Sequence, residues 1–310
     1  MSDTIFKGCG TALLTPFKED LSIDYDAYAR LVERQVEGGV DFLVPLGTSA
    51  ETPTLSREEK RKILSTTREH AHGRALLVGC GSNSVDATLE NMELLEDADA
   101  FLVVVPFYNK PTQEGIYLYY KALAEKSRKP IIMYNVPGRT GVNMSASTAL
   151  RVAREVEGVI GVKEASGNFE QVKEILDGAP AGFTVLSGDD DMTFDLIGAG
   201  AAGVISVASN VLPSAVSEMV HLALDGHTEE AKSLNERLFP LFKGCFVESN
   251  PIPGKEALCQ LGLCSNRMRL PLTEANEHTT QTISKILAEW KKVWSFLKRR
   301  WPTSRRAKSE

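Results

Sequence analysis

Apolar and polar positions alternate in a regular way along most of this chain. Short runs rich in Val, Ile and Leu are apolar throughout, as expected for strands covered on both faces. The longer stretches between them, such as YDAYARLVERQVEGG and SREEKRKILSTTREHAHG, have helical spacing, with Ser or Asp at their starts and often Gly at their ends. The predicted strands are residues 10–14, 41–46, 75–78, 100–105, 130–134, 159–163, 183–186 and 203–207.

Each of these eight predicted strands is followed by a predicted helix. Repeated strand–helix units require parallel strands joined by right-handed crossovers. Eight of them in this length fit a closed barrel better than a doubly wound sheet. The pattern therefore predicts an α/β fold: a (β/α)8 barrel of the TIM type over residues 1–225, followed by a small C-terminal helical region over residues 226–288.

The composition indicates an ordinary globular protein, with 43% apolar and 25% charged residues. The five cysteines form no Cys-x-x-Cys pair, which favours reduced thiols over a disulfide framework. The start of the chain lacks the pattern of a signal peptide, and no apolar run approaches the ~20 residues that span a bilayer. We expect a cytoplasmic protein.

The formal charge of −6 is unevenly distributed. Residues 289–310 carry eight basic and two acidic residues, which leaves residues 1–288 with a net charge of −12. An acidic body disfavours nucleic acid as the main ligand. The basic segment holds all three tryptophans, and Trp290, Trp294 and Leu297 share one helical face. Its role stays open between packing on a subunit, attachment to a membrane surface and docking into a partner protein.

Residues suited to chemistry lie at the carboxyl ends of the predicted strands. In barrel enzymes these ends meet at one face, which holds the active site. We therefore expect the following side chains and backbone groups to form one site. They are Thr48 and Ser49 after the second strand, Tyr108 after the fourth, Tyr134 and Arg139 at the fifth, Lys163 on the sixth, Gly188 after the seventh and Ile205 on the eighth.

Lys163 lies in the segment VIGVKEAS, at the end of an otherwise apolar strand. A structural interpretation has its side chain reaching to the barrel rim or pairing with a carboxylate such as Glu164. A catalytic interpretation has the apolar surroundings favour the neutral amine, which can attack a ketone carbon and form an imine. The hydroxyl groups at neighbouring strand ends favour the catalytic interpretation.

Tyr134, Thr48 and Tyr108 could form a hydroxyl relay around this amine. Imine formation needs a proton delivered to the departing hydroxyl, and enamine formation needs one removed from the adjacent carbon. A tyrosine can do both when a second hydroxyl orients its hydrogen bonds. The structural alternative is that both tyrosines are rim aromatics with hydrated hydroxyls and that Thr48 caps a turn.

Two segments are suited to binding carboxylates. The turn Gly47-Thr48-Ser49 offers backbone N–H groups and two hydroxyls that could hold a small carboxylate. Arg139, in a Pro-Gly-Arg-Thr turn, could bind a second carboxylate in bidentate fashion. The structural alternative for Arg139 is an exposed loop arginine.

Seven segments together resemble the dihydrodipicolinate synthase branch of the pyruvate-dependent class I aldolases, a family that also contains N-acetylneuraminate lyase. In order along the chain they are GTSAE, PFYNKPTQEG, YNVPGRTG, GVKEASGN, LSGDD, GVISVASN and NPIPGK. The arginine of YNVPGRTG separates the synthase branch, since the lyase branch is expected to carry a Leu-Ser-type sequence there. The resemblance implies a barrel that condenses pyruvate with L-aspartate 4-semialdehyde in lysine and diaminopimelate biosynthesis.

The resemblance also implies catalytic roles for four residues. Lys163 would form the imine with pyruvate, and Tyr134 would act as the acid and base. Thr48 would link Tyr134 to Tyr108, and Tyr108 would reach in from a neighbouring subunit. A homotetramer built from tight dimers is implied.

Four further residues would bind substrate. Ser49 and nearby backbone N–H groups would hold the pyruvate carboxylate, and Arg139 would hold the carboxylate of aspartate semialdehyde. Gly188 and Ile205 would line the pocket by backbone contact. The implied chemistry needs no metal or organic cofactor, because the lysine imine with pyruvate carries it.

The chain departs from the family pattern at two places. It has Thr48-Ser49-Ala50 where Thr-Thr-Gly is common, and the second hydroxyl survives. Lysine-inhibited members are expected to carry a histidine and a glutamate at the subunit interface, and Lys60 and Ala87 stand at the matching positions. We therefore predict weak or absent feedback inhibition by lysine.

Other functions remain open. The nearest is a pyruvate lyase acting on a sialic acid or a 2-keto-3-deoxy sugar acid, and a more distant one is a non-catalytic barrel whose basic tail binds a partner. We predict no metal site, because the consecutive aspartates at 189–191 cannot all face one ion and because the histidines at 70 and 72 point to different helical faces.

Overall fold

The computed structural model describes residues 5–300, with side chains described for residues 5–290. Its strands are β1 (Gly8–Ala12), β2 (Phe42–Val44), β3 (Ala75–Gly79), β4 (Ala100–Val104), β5 (Ile131–Asn135), β6 (Val159–Glu164), β7 (Thr184–Ser187) and β8 (Gly203–Ser206). Each strand pairs in parallel with the next, and β8 pairs with β1 to close the barrel. The predicted (β/α)8 barrel is therefore confirmed.

Helices connect successive strands and cover the outside of the barrel. They are α1 (Tyr25–Glu37), α2 (Arg57–His70), α3 (Val85–Leu94), α4 (Gln113–Ala124), the short α5 (Pro137–Thr140), α6 (Ala146–Glu155), α7 (Phe169–Gly178), α8 (Thr193–Gly198) and α9 (Pro213–Leu224). Most begin at a capping side chain; at α2, for example, the Ser56 Oγ accepts a hydrogen bond from the backbone N–H of Glu59.

The strands are apolar throughout because both of their faces are buried. Alternate residues point into the barrel and form one cluster, in which the rings of Phe6 and Phe42 pack edge to face with centroids 5.5 Å apart. The intervening residues, such as Leu43 and Val78, point outwards and join the larger core beneath the helices. This explains why the sequence shows continuous apolar runs rather than a two-residue alternation.

The first strand begins and ends two residues earlier than predicted. Leu13 and Leu14 extend the apolar run, but they lie beyond the end of β1. The N–H of Leu14 donates to Asn210 Oδ1 at 3.3 Å, and its side chain packs with Leu31 and Leu258. These leucines are therefore apolar because they pack against the helices, and not because they extend the strand.

Three more helices follow the barrel: α10 (Thr228–Gly244), α11 (Ile252–Gln260) and α12 (Glu277–Arg300). A buried ion pair between Lys255 of α11 and Glu51, just after β2, joins this helical region to the barrel. Within residues 5–300 no helix is both long enough and apolar enough to cross a bilayer.

The last helix, α12, continues into the basic segment that begins at residue 289. Trp290 is half-buried and packs against the larger core, as expected for a helix lying on its own subunit. The predictions for Trp294, Leu297 and residues 301–310 lie outside the described side chains.

Candidate active site

Lys163 lies on the inner face of β6, one residue before the strand ends. Its side chain is only 5% exposed, and its Nζ lies 4.3 Å from the centroid of the Tyr134 ring. The two residues are direct partners in the register of β5 and β6, so the strand pairing itself brings the amine to the tyrosine. No carboxylate within residues 5–290 forms an ion pair with Lys163, so it is neither a rim lysine nor a partner of Glu164.

Glu164 points to the opposite face of β6 and is held by hydrogen bonds there. Asn135 Nδ2 donates to both of its oxygens at 3.0 and 3.1 Å, and the N–H of Ser166 and the Nε2 of Gln171 donate to one each. Burial raises the pKa of this carboxyl, and the hydrogen bonds that it accepts act in the opposite direction. Because Asn135 and Glu164 are also register partners, their contact holds Tyr134 and Lys163 side by side.

The hydroxyl turn after β2, residues 48–50, forms a single turn of 3-10 helix. Ser49 is buried, whereas Thr48 is exposed towards the cavity. Thr15 Oγ1 donates to the carbonyl of Ala50 at 2.9 Å, which fixes the end of the turn. Glu51 then adopts a left-handed conformation with φ of 55°, and this redirects the chain towards α2.

Arg139 lies on α5, directly after β5. Its backbone N–H donates to the carbonyl of Val136 at 2.9 Å, and Gly141 ends the helix with φ of 73°, a conformation that suits glycine. The guanidinium is exposed to the cavity and donates from Nη2 to the carbonyl of Asn250 at 3.1 Å. Within residues 5–290 this is the only hydrogen bond of the guanidinium, so most of its donors are available to a ligand.

The site opens into a cavity of about 540 Å³ at the carboxyl ends of the strands. A smaller pocket at its base reaches Lys163. Six predicted residues line that pocket: Thr48, Ser49, Tyr134, Arg139, Lys163 and Gly188. Gly188 is required there, because a Cβ at this position would lie 2.5 Å from the Cβ of Ala165.

Two predicted residues lie elsewhere in this chain. Tyr108, on the loop after β4, is 86% exposed and has a left-handed φ of 72°. Ile205 is fully buried in the barrel interior, and Val207 lines the pocket from the end of β8 instead. No hydrogen bond among the described residues joins Tyr134, Thr48 and Tyr108, so the relay is not formed within one chain.

The three consecutive aspartates after β7 have three different environments. Asp190 is buried and accepts hydrogen bonds at 3.0 Å from the N–H groups of Val207 and Ala208, which ties β7 to β8. Asp191 forms an ion pair with Lys243. Asp189 lines the Lys163 pocket, where burial raises its pKa to about 6 while the charge of Lys163 acts in the opposite direction.

Sequence reasoning missed two polar side chains of the pocket, those of Asp189 and Asn250. Asp189 belongs to the LSGDD segment, which the sequence brings into question only as a possible metal site. Asn250 comes from the segment NPIPGK, between α10 and α11, and is part of the helical region rather than of the barrel. The two motifs were visible in the sequence, but nothing local indicated that they would meet at Lys163.

Comparison with known proteins assigns the chain to a family. The model of the dihydrodipicolinate synthetase family matches residues 5–290. The 4-hydroxy-tetrahydrodipicolinate synthase of Parabacteroides distasonis is 48% identical over 292 residues, which cover 93% of this chain and 98% of that protein. The comparison therefore confirms the resemblance that the seven segments indicate.

Solved structures agree with this assignment. Dihydrodipicolinate synthase from Thermotoga maritima has a TM-score of 0.90 and 43% identity, covering 92% of this chain and 99% of that one. The chloride-inhibited enzyme from Acinetobacter baumannii, solved in complex with pyruvate, has a TM-score of 0.90 and 39% identity, with 92% and 99% coverage. The chain belongs to the dihydrodipicolinate synthetase family.

Proposed function

We propose that this protein is a 4-hydroxy-tetrahydrodipicolinate synthase that condenses pyruvate with L-aspartate 4-semialdehyde through an imine on Lys163. One observation carries the proposal: a buried lysine, which forms no ion pair within residues 5–290, lies against a tyrosine in a pocket that also holds a buried serine and an arginine. Membership in the synthetase family supports the same reaction. The cytoplasmic location expected from the sequence stays part of the proposal.

Pyruvate binds first. The Ser49 hydroxyl and the backbone N–H groups of its turn hold the carboxylate, which places C2 beside Lys163 Nζ. The neutral amine adds to C2, and the C2 oxygen takes up protons through Tyr134 and leaves as water. Removal of a proton from C3 then converts the imine into an enamine with a nucleophilic carbon.

The semialdehyde binds second. Arg139 holds its carboxylate in a charge-assisted contact. The enamine C3 attacks the aldehyde carbon, and Tyr134 gives a proton to the aldehyde oxygen. The substrate amine then attacks C2 and displaces Lys163 Nζ as the ring closes, which regenerates the free amine. No metal or organic cofactor is proposed, since the protonated imine withdraws the electrons that each step requires.

Tyr108 completes the hydroxyl relay only when a second copy of the chain supplies it. Its ring projects from the surface of its own subunit, and it does not line its own pocket. We therefore keep the predicted tetramer of tight dimers as part of the proposal, with Thr48 linking Tyr134 to the neighbouring tyrosine. The measurement is the sedimentation of wild type beside a Tyr108→Phe variant, together with their rates of condensation. A fully active monomer would contradict this part.

The semialdehyde specificity is tested through Arg139. Arg139→Ala removes a charge-assisted pair worth about 2 to 3 kcal/mol, so kcat/KM for the semialdehyde should fall roughly a hundredfold. The matched control is Arg30→Ala, which removes an exposed arginine of α1 far from the cavity. Full activity of Arg139→Ala on a sugar acid, with no condensation by wild type, would identify a lyase instead. No pyruvate adduct in any variant would identify a non-catalytic barrel.

Weak feedback inhibition by lysine also remains a prediction. Lys60 lines the larger cavity, and partial burial lowers its pKa. A second cation at this position repels the side-chain ammonium of a lysine ligand, and Ala87 offers no carboxylate to offset that repulsion. Steady-state rates at increasing lysine should therefore fall only slightly or not at all. Strong inhibition by submillimolar lysine would contradict the prediction.

A further inference from the structure

Asn250 connects the helical region to the pocket. It lies between α10 and α11, its side chain is buried with 5% exposed, and it lines both the larger cavity and the Lys163 pocket. It is thus a polar residue that a segment outside the barrel contributes to the floor of the site.

Two contacts join Asn250 to the groups that the proposed function assigns to the two substrates. Its Nδ2 donates to Ser49 Oγ at 3.0 Å. Its main-chain carbonyl accepts from Arg139 Nη2 at 3.1 Å. Ser49 and Arg139 are therefore placed relative to one another by a single residue.

The direction of the hydrogen bond between Asn250 and Ser49 determines whether the Ser49 hydroxyl can donate to a ligand. A hydroxyl has one proton to donate and accepts through its lone pairs. Because Asn250 Nδ2 donates to Ser49 Oγ, the serine proton stays available to another acceptor. No acceptor for that proton occurs among the residues 5–290, and Ser49 lines the pocket. The contact thus leaves the Ser49 O–H free to donate to a bound carboxylate.

The buried amide oxygen of Asn250 is a second feature of this residue that needs an explanation. Asn250 Oδ1 is buried and has no hydrogen-bond partner in the described part of the chain. An unpartnered buried acceptor destabilises a fold, so its presence in a native protein needs an explanation such as a bound ligand or water molecule. Asn235 on α10 has the same unpartnered oxygen but lies outside the cavity, so for Asn250 it is the position in the pocket that points to a role in the site.

A buried ion pair keeps the two segments in place. Lys255, on the first turns of α11, pairs with Glu51, and neither side chain is exposed by more than 1%. Lys255 Nζ also donates to the carbonyl of Arg267 at 2.9 Å, and the second oxygen of Glu51 accepts from the N–H of Arg269 at 3.1 Å. The Ser49 turn and the segment after Asn250 are therefore connected at a second point.

From these contacts we propose that Asn250 is a positioning residue. It orients the Ser49 hydroxyl towards the pyruvate carboxylate and holds Arg139 at a set distance from Ser49. The proposal rests on the proposed function and adds a residue outside the barrel to that site. Its side chain acts through Ser49, whereas its main-chain carbonyl acts through Arg139. Side-chain substitutions should therefore affect the two substrates differently.

The first experiment measures KM for each substrate in side-chain variants. Asn250→Ala should raise KM for pyruvate about tenfold, because Ser49 loses its orienting donor, and should change KM for the semialdehyde less than about threefold, because the carbonyl remains. Asn250→Asp keeps the side-chain volume, but its carboxylate accepts a hydrogen bond from the Ser49 hydroxyl and adds a negative charge near the bound carboxylate. KM for pyruvate should therefore rise about a hundredfold. An unchanged KM for pyruvate in either folded variant would overturn the proposal.

A double-mutant cycle tests whether Asn250 acts through Ser49. In a Ser49→Ala background, Asn250→Ala should cause almost no further rise in KM for pyruvate. If each substitution raised KM for pyruvate independently, so that the two increases multiplied in the double variant, the proposal would be overturned. The matched control is Asn235→Ala on α10, which also has a buried, unpartnered amide oxygen but lies outside the cavity. Its KM values should match wild type, and a tenfold rise there would likewise count against the assignment.

If the proposed function itself is wrong, the experiments give a different result from the one expected when only the role of Asn250 is wrong. In that case wild type itself forms no adduct with pyruvate and consumes no semialdehyde. If only the positioning role is wrong, wild type is active and Asn250→Ala keeps the wild-type KM for pyruvate, whatever its thermal stability.

Discussion

The contact between Gly188 and Lys163 leads to the most closely defined prediction. Gly188 follows β7, and its N–H donates to the carbonyl of Glu164 at 2.7 Å. A Cβ at this position would lie 2.5 Å from Ala165 Cβ, 2.9 Å from that carbonyl oxygen and 3.0 Å from Lys163 Cε. Carbon atoms in contact are normally about 3.5 to 4.0 Å apart. In Gly188→Ala, therefore, β6 or β7 must move by up to about 1 Å.

The displacement should affect stability and reaction rate. Inserting a methyl group into a packed region costs about 1 to 3 kcal/mol of unfolding free energy. The atom bonded to the reacting nitrogen is among those that move, and a displacement of about 1 Å costs roughly a hundredfold in rate. We expect imine formation in Gly188→Ala to slow between about tenfold and a hundredfold.

The assay is a single-turnover experiment in which borohydride traps the pyruvate adduct at increasing times, with thermal unfolding measured in parallel. Gly198→Ala is the matched control: Gly198 ends α8, and a Cβ there would meet nothing within 4 Å. This control should trap pyruvate at the wild-type rate and unfold at the same temperature or slightly higher. Wild-type trapping and wild-type stability in Gly188→Ala would refute the packing argument.

Three further predictions concern Lys255, Tyr134 and Asp189. Lys255→Met removes the cation that pairs with the buried Glu51 carboxylate, so the free energy of unfolding measured in urea should fall by about 3 to 5 kcal/mol. An unchanged midpoint would contradict the role of the ion pair. Tyr134→Phe keeps the ring against Lys163 but removes the hydroxyl that carries the proton, so single-turnover imine formation should slow roughly 10² to 10⁴-fold. A wild-type rate of imine formation would exclude Tyr134 as the acid. Because burial raises the pKa of Asp189 to about 6, its contribution to stability is present below pH 4 and is lost as the pH rises through 6. The free energy of unfolding of Asp189→Asn, measured in urea, should therefore equal that of wild type near pH 4 and exceed it by at most about 3 kcal/mol at pH 7. An equal difference in unfolding free energy at both pH values would contradict the assignment.

The sequence predicts that Tyr134 and Lys163 lie close together, and the structure places them so for a physical reason. The strand pattern places Tyr134 and Lys163 at the carboxyl ends of neighbouring parallel strands, and such ends must meet. Side-chain alternation within a strand is also regular, so Lys163 and Glu164 necessarily face opposite sides. The pairing that the sequence left open for these two residues is therefore excluded by strand geometry.

The remaining parts of the site depend on contacts that no local pattern records. Ser49 and Asn250 are separated by 201 residues and meet only after the helical region packs on the barrel. The raised pKa of Asp189 follows from burial in the folded chain and not from the LSGDD segment itself. Tyr108 lies in the PFYNKPTQEG segment, but within this chain it is exposed and lines neither pocket.

The central claim is that Lys163 captures pyruvate as an imine. The most direct measurement is to incubate the protein with pyruvate, reduce it with borohydride and locate the adduct by mass spectrometry of peptides, beside a Lys163→Ala control. We expect one pyruvate-derived addition on the peptide that contains Lys163, and none in the control. An adduct that persists in Lys163→Ala, or wild-type protein that stays unmodified while it converts pyruvate, would contradict the account.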